Sequence, residues 1–342
     1  MSNEEDKTAT SLSHISINKE DVAGHDAQES TPPRSSSGWD GKLRVEKENG
    51  KKLELANPEA ISDPEYSDEE NVMPGEVINA DEDLLDDYPL DTEEIDLVHA
   101  RISSIPSLRL SRFTQVQRLC LRQNTISAIE DLSCLASTLT DLDLYDNLIA
   151  HIRGLEDLIN LTSLDLSFNK LKHIKKLNHL TSLTDLYFVQ NKITTIENLE
   201  GLSKLRNLEL AANRIREIQG LDTLTGLEEL WLGKNKITEM KNLDALQNLK
   251  ILSIQSNRIR DITVSSLKGL EGLKELEEVW ASYNKIADFN DVEEHLKDKE
   301  KLNTVYFEGN PLQLKGPALY RNKVRLALPQ VMQIDATFVR VS

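Results

Sequence analysis

The sequence predicts an α/β solenoid, a coil of short repeats with a parallel sheet along one side, and three observations carry that prediction. Nine asparagines recur at a nearly fixed interval: Asn124, Asn147, Asn169, Asn191, Asn213, Asn235, Asn257, Asn284 and Asn310, spaced by 23, 22, 22, 22, 22, 22, 27 and 26 residues. Each falls in the pattern L-x-x-L-x-L-x-x-N-x-I-x-x-I, as in Leu161-Thr-Ser-Leu164-Asp-Leu166-Ser-Phe-Asn169-Lys-Leu171-Lys-His-Ile174. The aliphatic positions Asn−5 and Asn−3 alternate with polar ones, the period of a short strand. A period this short means a leucine-rich-repeat right-handed solenoid (horseshoe), with about ten 22-residue repeats, a parallel concave sheet and a C-terminal cap.

Residues 1–85 are expected to form a disordered acidic tail. Residues 1–90 contain 23 acidic and 8 basic side chains, so they hold −15 of the chain's net charge of −18. A segment rich in Ser, Glu, Asp and Lys, with the stretch Thr31-Pro-Pro-Arg-Ser-Ser-Ser-Gly38, buries too little apolar surface to offset chain entropy. Ser67-Asp-Glu-Glu resembles an acidophilic kinase site, although a solvated acidic tail accounts for it more simply. The acidic start, Met-Ser-Asn-Glu-Glu-Asp, and the lack of an 18-residue apolar run predict a soluble intracellular chain without a membrane partner.

Residues 86–310 are expected to be the solenoid. Ordered structure should begin near Asp91, and Ile95 to Ile105 fits one further repeat with Ala100 in the asparagine position. Terminal repeats are commonly atypical. Five extra residues between Asn257 and Asn284, around Val264 to Leu270, should bulge from a connection without breaking the ladder of strands. Within a repeat, Asn−5, Asn−3, Asn+2 and Asn+5 point inward, and the asparagine amide satisfies backbone groups where the chain turns. All nine asparagines are therefore structural. About 12 residues per repeat remain for a 3₁₀ turn or short helix on the convex side. Residues 311–342 supply the cap: Tyr320 to Leu328 has helical apolar spacing and stops at Pro329, and Gln333 to Val339 returns over the last strand.

Alternation places function on the concave face. If Asn−5 and Asn−3 point in, Asn−4 and Asn−6 point out. The Asn−4 column reads Asp96, Cys120, Asp143, Asp165, Tyr187, Glu209, Trp231, Ser253, Trp280, Tyr306. Asn−6 adds Asp141, Asp185, Glu229 and Glu278, and Asn−2 adds Tyr145. Two of three tryptophans thus share one column with two tyrosines, and no apolar partner within the sheet is predicted for them. Large rigid aromatics dominate binding hot spots, and the carboxylates around them select a basic partner.

Other chemistry finds little support. Asp141 and Asp143 lack an accompanying histidine or nucleophile, and His173 and His179 lack metal-site spacing, each belonging on a convex or turn surface. No Gly-rich phosphate loop or nucleophile elbow is present. Cys120 and Cys134 read as reduced thiols. No enzyme activity, cofactor or metal is expected, and the acidic balance argues against a nucleic-acid partner.

The strings Leu119-Cys-Leu-Arg-Gln-Asn124, Leu142-Asp-Leu-Tyr-Asp-Asn147, Leu232-Gly-Lys-Asn-Lys-Ile-Thr238, Asn310-Pro-Leu-Gln and Ala327-Leu-Pro-Gln-Val-Met-Gln-Ile-Asp-Ala-Thr-Phe338 carry a more specific likeness. Over residues ~91–342 the chain resembles the leucine-rich-repeat regulatory subunits of protein phosphatase 1. That resemblance implies a non-catalytic regulator, nuclear with a cytoplasmic pool, linked to phosphatase maturation, the cell cycle and chromosome segregation. It implies that the phosphatase catalytic subunit binds at Asp165, Tyr187, Glu209, Trp231, Glu278, Trp280 and Tyr306, and the alternation of the same columns adds Asp143, Tyr145, Asp185 and Glu229 as further partner-binding positions. A third, inhibitor subunit is a further expected partner. The short K/R-x-V-x-F/W docking motif is absent, since Arg44-Val45-Glu46-Lys47 lacks the aromatic, so binding has to come from the folded face. The competing reading is a structural leucine-rich-repeat adaptor of splicing-particle or cytoskeletal type, with no effect on an enzyme.

Overall fold

Each repeat places three residues in a strand, turns at its asparagine, and returns through tight turns to the next strand. The computed structural model describes residues 84–259 and 268–339, together with two short strands nearer the N-terminus. Those strands, β1 (Val45–Glu46) and β2 (Glu54–Leu55), pair antiparallel within a unit spanning Met1–Met73. The remainder of the expected tail, Ser67 included, lies outside the described residues, as do residues 260–267 and 340–342.

In the second unit, Pro74–Ser342, the ten strands of the repeats run parallel in sequence order. They are β3 (Glu94–Asp96), β4 (Arg118–Cys120), β5 (Asp141–Asp143), β6 (Ser163–Asp165), β7 (Asp185–Tyr187), β8 (Asn207–Glu209), β9 (Glu229–Trp231), β10 (Ile251–Ser253), β11 (Glu278–Trp280) and β12 (Thr304–Tyr306). Ten strands joined by nine returns match the expected count, with β3 as the atypical first rung. The 27-residue spacing leaves the ladder intact, because Ser253 of β10 pairs directly with Trp280 of β11.

The core is a stack of similar, mainly aliphatic layers, with Phe188 and Phe307 at Asn−3 in two of them. In the repeat of Asn169, Leu161, Leu164, Leu166, Leu171, Ile174, Leu177 and Leu180 are all fully buried. The returns are chains of tight turns, such as the Leu158 N–H donating to the Leu155 carbonyl (3.1 Å) and the Leu161 N–H to the Leu158 carbonyl (3.1 Å). Short 3₁₀ turns occupy the first returns, at Pro106–Leu108, Leu110–Arg112 and Ser133–Leu135, whereas among the described residues α-helix enters only toward the C-terminus, as α1 (Phe289–Leu296), α2 (Pro311–Leu314) and α3 (Pro317–Ala327). The 22-residue return has no room for more, and α1 occupies a longer return of the 26-residue spacing, started by Asp288 accepting from the Asn290 N–H (2.9 Å).

The asparagines make the ladder continuous. Asn213 Nδ2 donates to the carbonyls of Phe188 (2.8 Å), Leu210 (3.1 Å) and Ala211 (3.2 Å), while its Oδ1 accepts from the Ile193 N–H (3.0 Å). Carbonyls of two successive repeats thus share one buried amide, which is the structural role the sequence predicts. The residue before each asparagine is left-handed: Gln123, Asp146, Phe168, Gln190, Ala212, Lys234, Ser256 and Tyr283 have φ of 54–56°. That conformation disfavours a side chain. It persists because it turns the amide toward the next rung, as when the Gln190 N–H donates to the Ala211 carbonyl (2.9 Å).

The C-terminal end closes by substitution. Strand β13 (Gln333–Ile334) pairs with β12, and β14 (Thr337–Phe338) turns back antiparallel. No further asparagine repeat exists to accept from β12, so the buried Asp335 carboxylate accepts from the Phe307 N–H (2.9 Å), the Glu308 N–H (3.0 Å) and the Tyr320 hydroxyl (3.2 Å).

Candidate functional site: the acidic and aromatic sheet face

Period-two alternation sorts every strand into a buried centre and two outward residues. In β5 to β9 the central leucine is fully buried and both flanking side chains are partly exposed. Asp165, Tyr187, Glu209, Trp231, Glu278, Trp280 and Tyr306 all lie on this outer face, as do Asp143, Asp185 and Glu229. Tyr145 sits beside it, just past β5.

The aromatic residues do have partners, which corrects the expectation that none exists within the sheet. Trp280 stacks on Tyr306 with centroids 4.3 Å apart and planes 18° apart. Trp231 meets Trp280 edge-on at 5.9 Å. These two tryptophans are two strands apart, a separation of roughly 10 Å at the backbone, so both indoles lean over the intervening rung. The residue there is Ser253, 1% exposed and the only small side chain of the Asn−4 column between Asp143 and Tyr306. A small residue in that row permits the continuous aromatic strip.

Carboxylates orient the strip. Trp231 Nε1 donates to Glu229 (3.1 Å) and Trp280 Nε1 to Glu278 (2.8 Å), each from Asn−4 to Asn−6 of the same strand. The Tyr306 hydroxyl accepts from Gln333 Nε2 (2.7 Å), which ties the strip to the cap. Sequence reasoning missed Gln333, because a contact between cap and sheet has no periodic signature.

The acidic half is arranged to limit repulsion. Across the Asn−6 column the carboxylates Asp141, Asp185, Glu229 and Glu278 alternate with Ser163, Asn207 and Ile251. In the Asn−4 column Asp143 and Asp165 are direct cross-strand neighbours, and Tyr187 then separates Asp165 from Glu209. Burial pushes the Asp143 carboxyl up to about 6, with Asp165 adding to the shift and the Tyr145 N–H and Arg122 opposing it. Burial likewise raises Glu209, helped by Asp165 and Glu229, and raises Asp141. The Tyr187 phenol moves to about 12 through burial and then the charges of Asp185 and Glu209. Asn207 Oδ1 is buried without a partner among the described residues.

A second aromatic group borders the N-terminal half. The Arg122 guanidinium lies 4.4 Å over the Tyr145 ring and 3.4 Å from Asp143, and Tyr145 contacts Phe168 at 4.7 Å. Arg122 and Phe168 escaped the sequence reading, which took only Tyr145 from the Asn−2 column and nothing from Asn−1. The Asn−2 and Asn−1 columns, read the same way, contain them. His173 and His179 are away from the face, His173 at 3.1 Å from Glu197 and His179 at 3.0 Å from the Leu155 carbonyl. Cys120 and Cys134 are free thiols, and burial moves Cys120 up to about 11. Among the described residues no group of His, Cys, Asp and Glu has the arrangement of a metal site, and no helix is long and apolar enough to cross a membrane.

Fold and face together define a leucine-rich-repeat scaffold whose sheet presents an oriented aromatic strip among carboxylates. Residues 159–215 match the family described as Leucine rich repeat, and residues 225–267 the one described as Leucine Rich repeats (2 copies). A protein phosphatase 1 regulatory subunit SDS22 from Schizosaccharomyces pombe is 54% identical over 302 residues, covering 77% of this chain and 90% of the relative. The SDS22 of Saccharomyces cerevisiae is 42% identical over 105 residues, 30% of this chain and 31% of the relative. Human protein phosphatase 1 regulatory subunit 7 is 62% identical over 52 residues, 15% and 14% of the two chains. The chain belongs to the SDS22 family of protein phosphatase 1 regulatory subunits. In fold alone it also resembles a solved internalin (InlF) of Listeria monocytogenes, with a TM-score of 0.56 at 24% identity over 73% of each chain.

Proposed function

We propose that this chain is a non-catalytic regulatory subunit that binds the protein phosphatase 1 catalytic subunit on its sheet face and modulates its activity, maturation or localisation. The observation that carries the reading is the strip of Trp231, Trp280 and Tyr306, pre-oriented by Glu229, Glu278 and Gln333. Pre-orientation reduces the entropy lost when such side chains are captured by a partner. Asp165, Tyr187 and Glu209, with Asp143, Tyr145, Asp185 and Glu229, extend the contact toward the N-terminus and select basic groups. An interface over these rungs reaches the ~1,600 Å² of a specific complex. The same reading covers a third, inhibitor subunit as an extra partner. It also covers a nuclear location with a cytoplasmic pool, and a part in the cell cycle and chromosome segregation.

The test is calorimetric titration of the full chain with the metal-loaded and the metal-depleted catalytic subunit. Trp231→Ala and Trp280→Ala should each weaken binding by roughly 2–4 kcal/mol, and the double variant by less than the sum because the indoles touch. Preference for one metal state gives the direction of regulation. Unchanged affinity in both variants, with urea midpoints preserved, would remove the sheet face from the account.

A further inference from the structure

The repeat also builds a second surface, on the edge just past each asparagine. At Asn+1, six consecutive rungs carry a cation: Lys170, Lys192, Arg214, Lys236, Arg258 and Lys285. Their backbone N–H groups form a ladder of their own, from Lys170 to the Ile149 carbonyl (2.9 Å) through Lys285 to the Ile259 carbonyl (2.8 Å). Consecutive rungs therefore hold these side chains in register at roughly 4.8 Å intervals, about 24 Å in all.

The columns on either side reinforce the row. Lys234 stands at Asn−1, and Lys172 and Arg216 at Asn+3. Across these three columns, from the Asn169 rung to the Asn284 rung, the described residues include nine cations and no carboxylate. Lys170, Arg214, Arg216, Lys234, Lys236, Arg258 and Lys285 form no ion pair among the described residues, and all are exposed or half-exposed. The nearest described acidic positions lie at Asn+4: Glu217 and Glu239 are both engaged by Lys241, at 2.8 and 3.6 Å, and Asp288 caps α1 at the far end of the row. The strip is bounded, since Asn+1 is Thr125 and Leu148 in the two preceding repeats and Pro311 after it. Charge of one sign, confined to six rungs in a chain of net charge −18, is not what a generic solvated edge looks like.

We propose that this edge is a docking row for an extended, acidic peptide segment of a partner protein. A strand-like peptide advances about 3.3 Å per residue, so seven or eight residues span the row, with alternate carboxylates facing it. The net charge favours this occupant over a nucleic acid. A long polyanion feels the repulsion of the whole acidic chain, whereas a short peptide feels mainly charges within a Debye length of about 8 Å. The row is separate from the sheet face, so a partner can occupy it while that face is engaged.

The test uses the full chain and a fluorescein-labelled octaglutamate peptide, read by anisotropy at low and near-physiological salt. The parent should bind, and the triple variant Arg214→Gln, Lys236→Gln, Arg258→Gln should lose about tenfold or more in affinity. A control triple of Arg153→Gln, Lys297→Gln and Lys301→Gln, with similar net charge but off the row, should retain it. No binding by the parent, or equal loss in both triples, overturns the proposal. Tighter binding of a labelled ten-nucleotide oligothymidylate than of octaglutamate overturns the assignment to a peptide. Binding of the phosphatase catalytic subunit by the row variant, measured in parallel, separates failure of this inference from failure of the sheet-face reading.

Discussion

Ser253 offers the sharpest test of how the sheet face is built. Replacing it by phenylalanine inserts a ring into the one Asn−4 position that the two indoles close over, where Trp231 and Trp280 come within 5.9 Å across two strands. Accommodation requires the indoles to part toward their backbone separation of roughly 10 Å. Two contributions oppose that. Losing the edge-on aromatic contact removes about 0.5–1.5 kcal/mol, and forcing bulk into a packed site costs about 1–3 kcal/mol. The new ring recovers part of this by packing on the displaced indoles, so the folded chain should lose about 1–2 kcal/mol. The larger effect falls on binding, because Trp231 and Trp280 leave the positions set by Glu229 and Glu278. Near-ultraviolet circular dichroism should show loss of the coupled aromatic signal, and calorimetry should show catalytic-subunit affinity falling by about tenfold or more. Ser253→Ala, which keeps the space open, should leave both readings within about twofold of the parent. An unchanged aromatic signal together with unchanged affinity in Ser253→Phe would refute the argument that a small residue is needed there.

Further consequences are equally direct. Asn213→Ala leaves three carbonyls and the Ile193 N–H without their shared partner, and should lower stability by about 2–4 kcal/mol in urea titrations; a loss below about 1 kcal/mol contradicts the structural role. Asp335→Ala removes the acceptor for Phe307, Glu308 and Tyr320, so those two amides should exchange hydrogen faster than the amides of β6 and β7. For Asp143 the folded-state pKa is raised from 3.8 to about 6. The charged form is therefore disfavoured by folding, and stability present below about pH 4 is lost as pH rises through 6. Asp143→Asn, at a side chain 21% exposed, should be more stable than the parent by about 1–2 kcal/mol at pH 7.5 and no more stable at pH 3.5. A variant less stable at pH 7.5 would mean that the Arg122 contact outweighs burial.

Periodicity made most of this molecule legible. The asparagine spacing locates every strand from β4 to β12, and alternation alone puts Asp165, Tyr187, Glu209, Trp231, Glu278, Trp280 and Tyr306 on one face. What periodicity describes poorly is contact along the other direction. The indoles of Trp231 and Trp280 meet because of what Ser253 lacks, an effect of side-chain size two rungs apart that a column of names does not display. Helix α1 escaped notice for a related reason. Its signals, Asp288 as cap and Val292 and Leu296 as buried residues, fall inside a stretch already assigned to a return. The second role of the basic columns was hidden in the same pattern, because Asn+1 was treated as the gap between two inward positions.

The sheet face also shows how function sets limits on stability in a repeat fold. A solenoid built only for strength would place neutral, β-branched residues opposite one another, since like charges in directly opposed positions destabilise a sheet. This chain instead keeps Asp143 against Asp165 and lines both outward columns with carboxylates. It limits the penalty by interleaving Ser163, Asn207 and Ile251 in one column and Tyr187 in the other, so that like charges seldom occupy adjoining rungs. The raised carboxyls of Asp141, Asp143 and Glu209 owe most to burial, with neighbouring carboxylates adding to it. A cation brought alongside Asp143 or Glu209 would offset part of the desolvation that raises them. The buried leucine layers and asparagine ladder supply the stability that carries this cost.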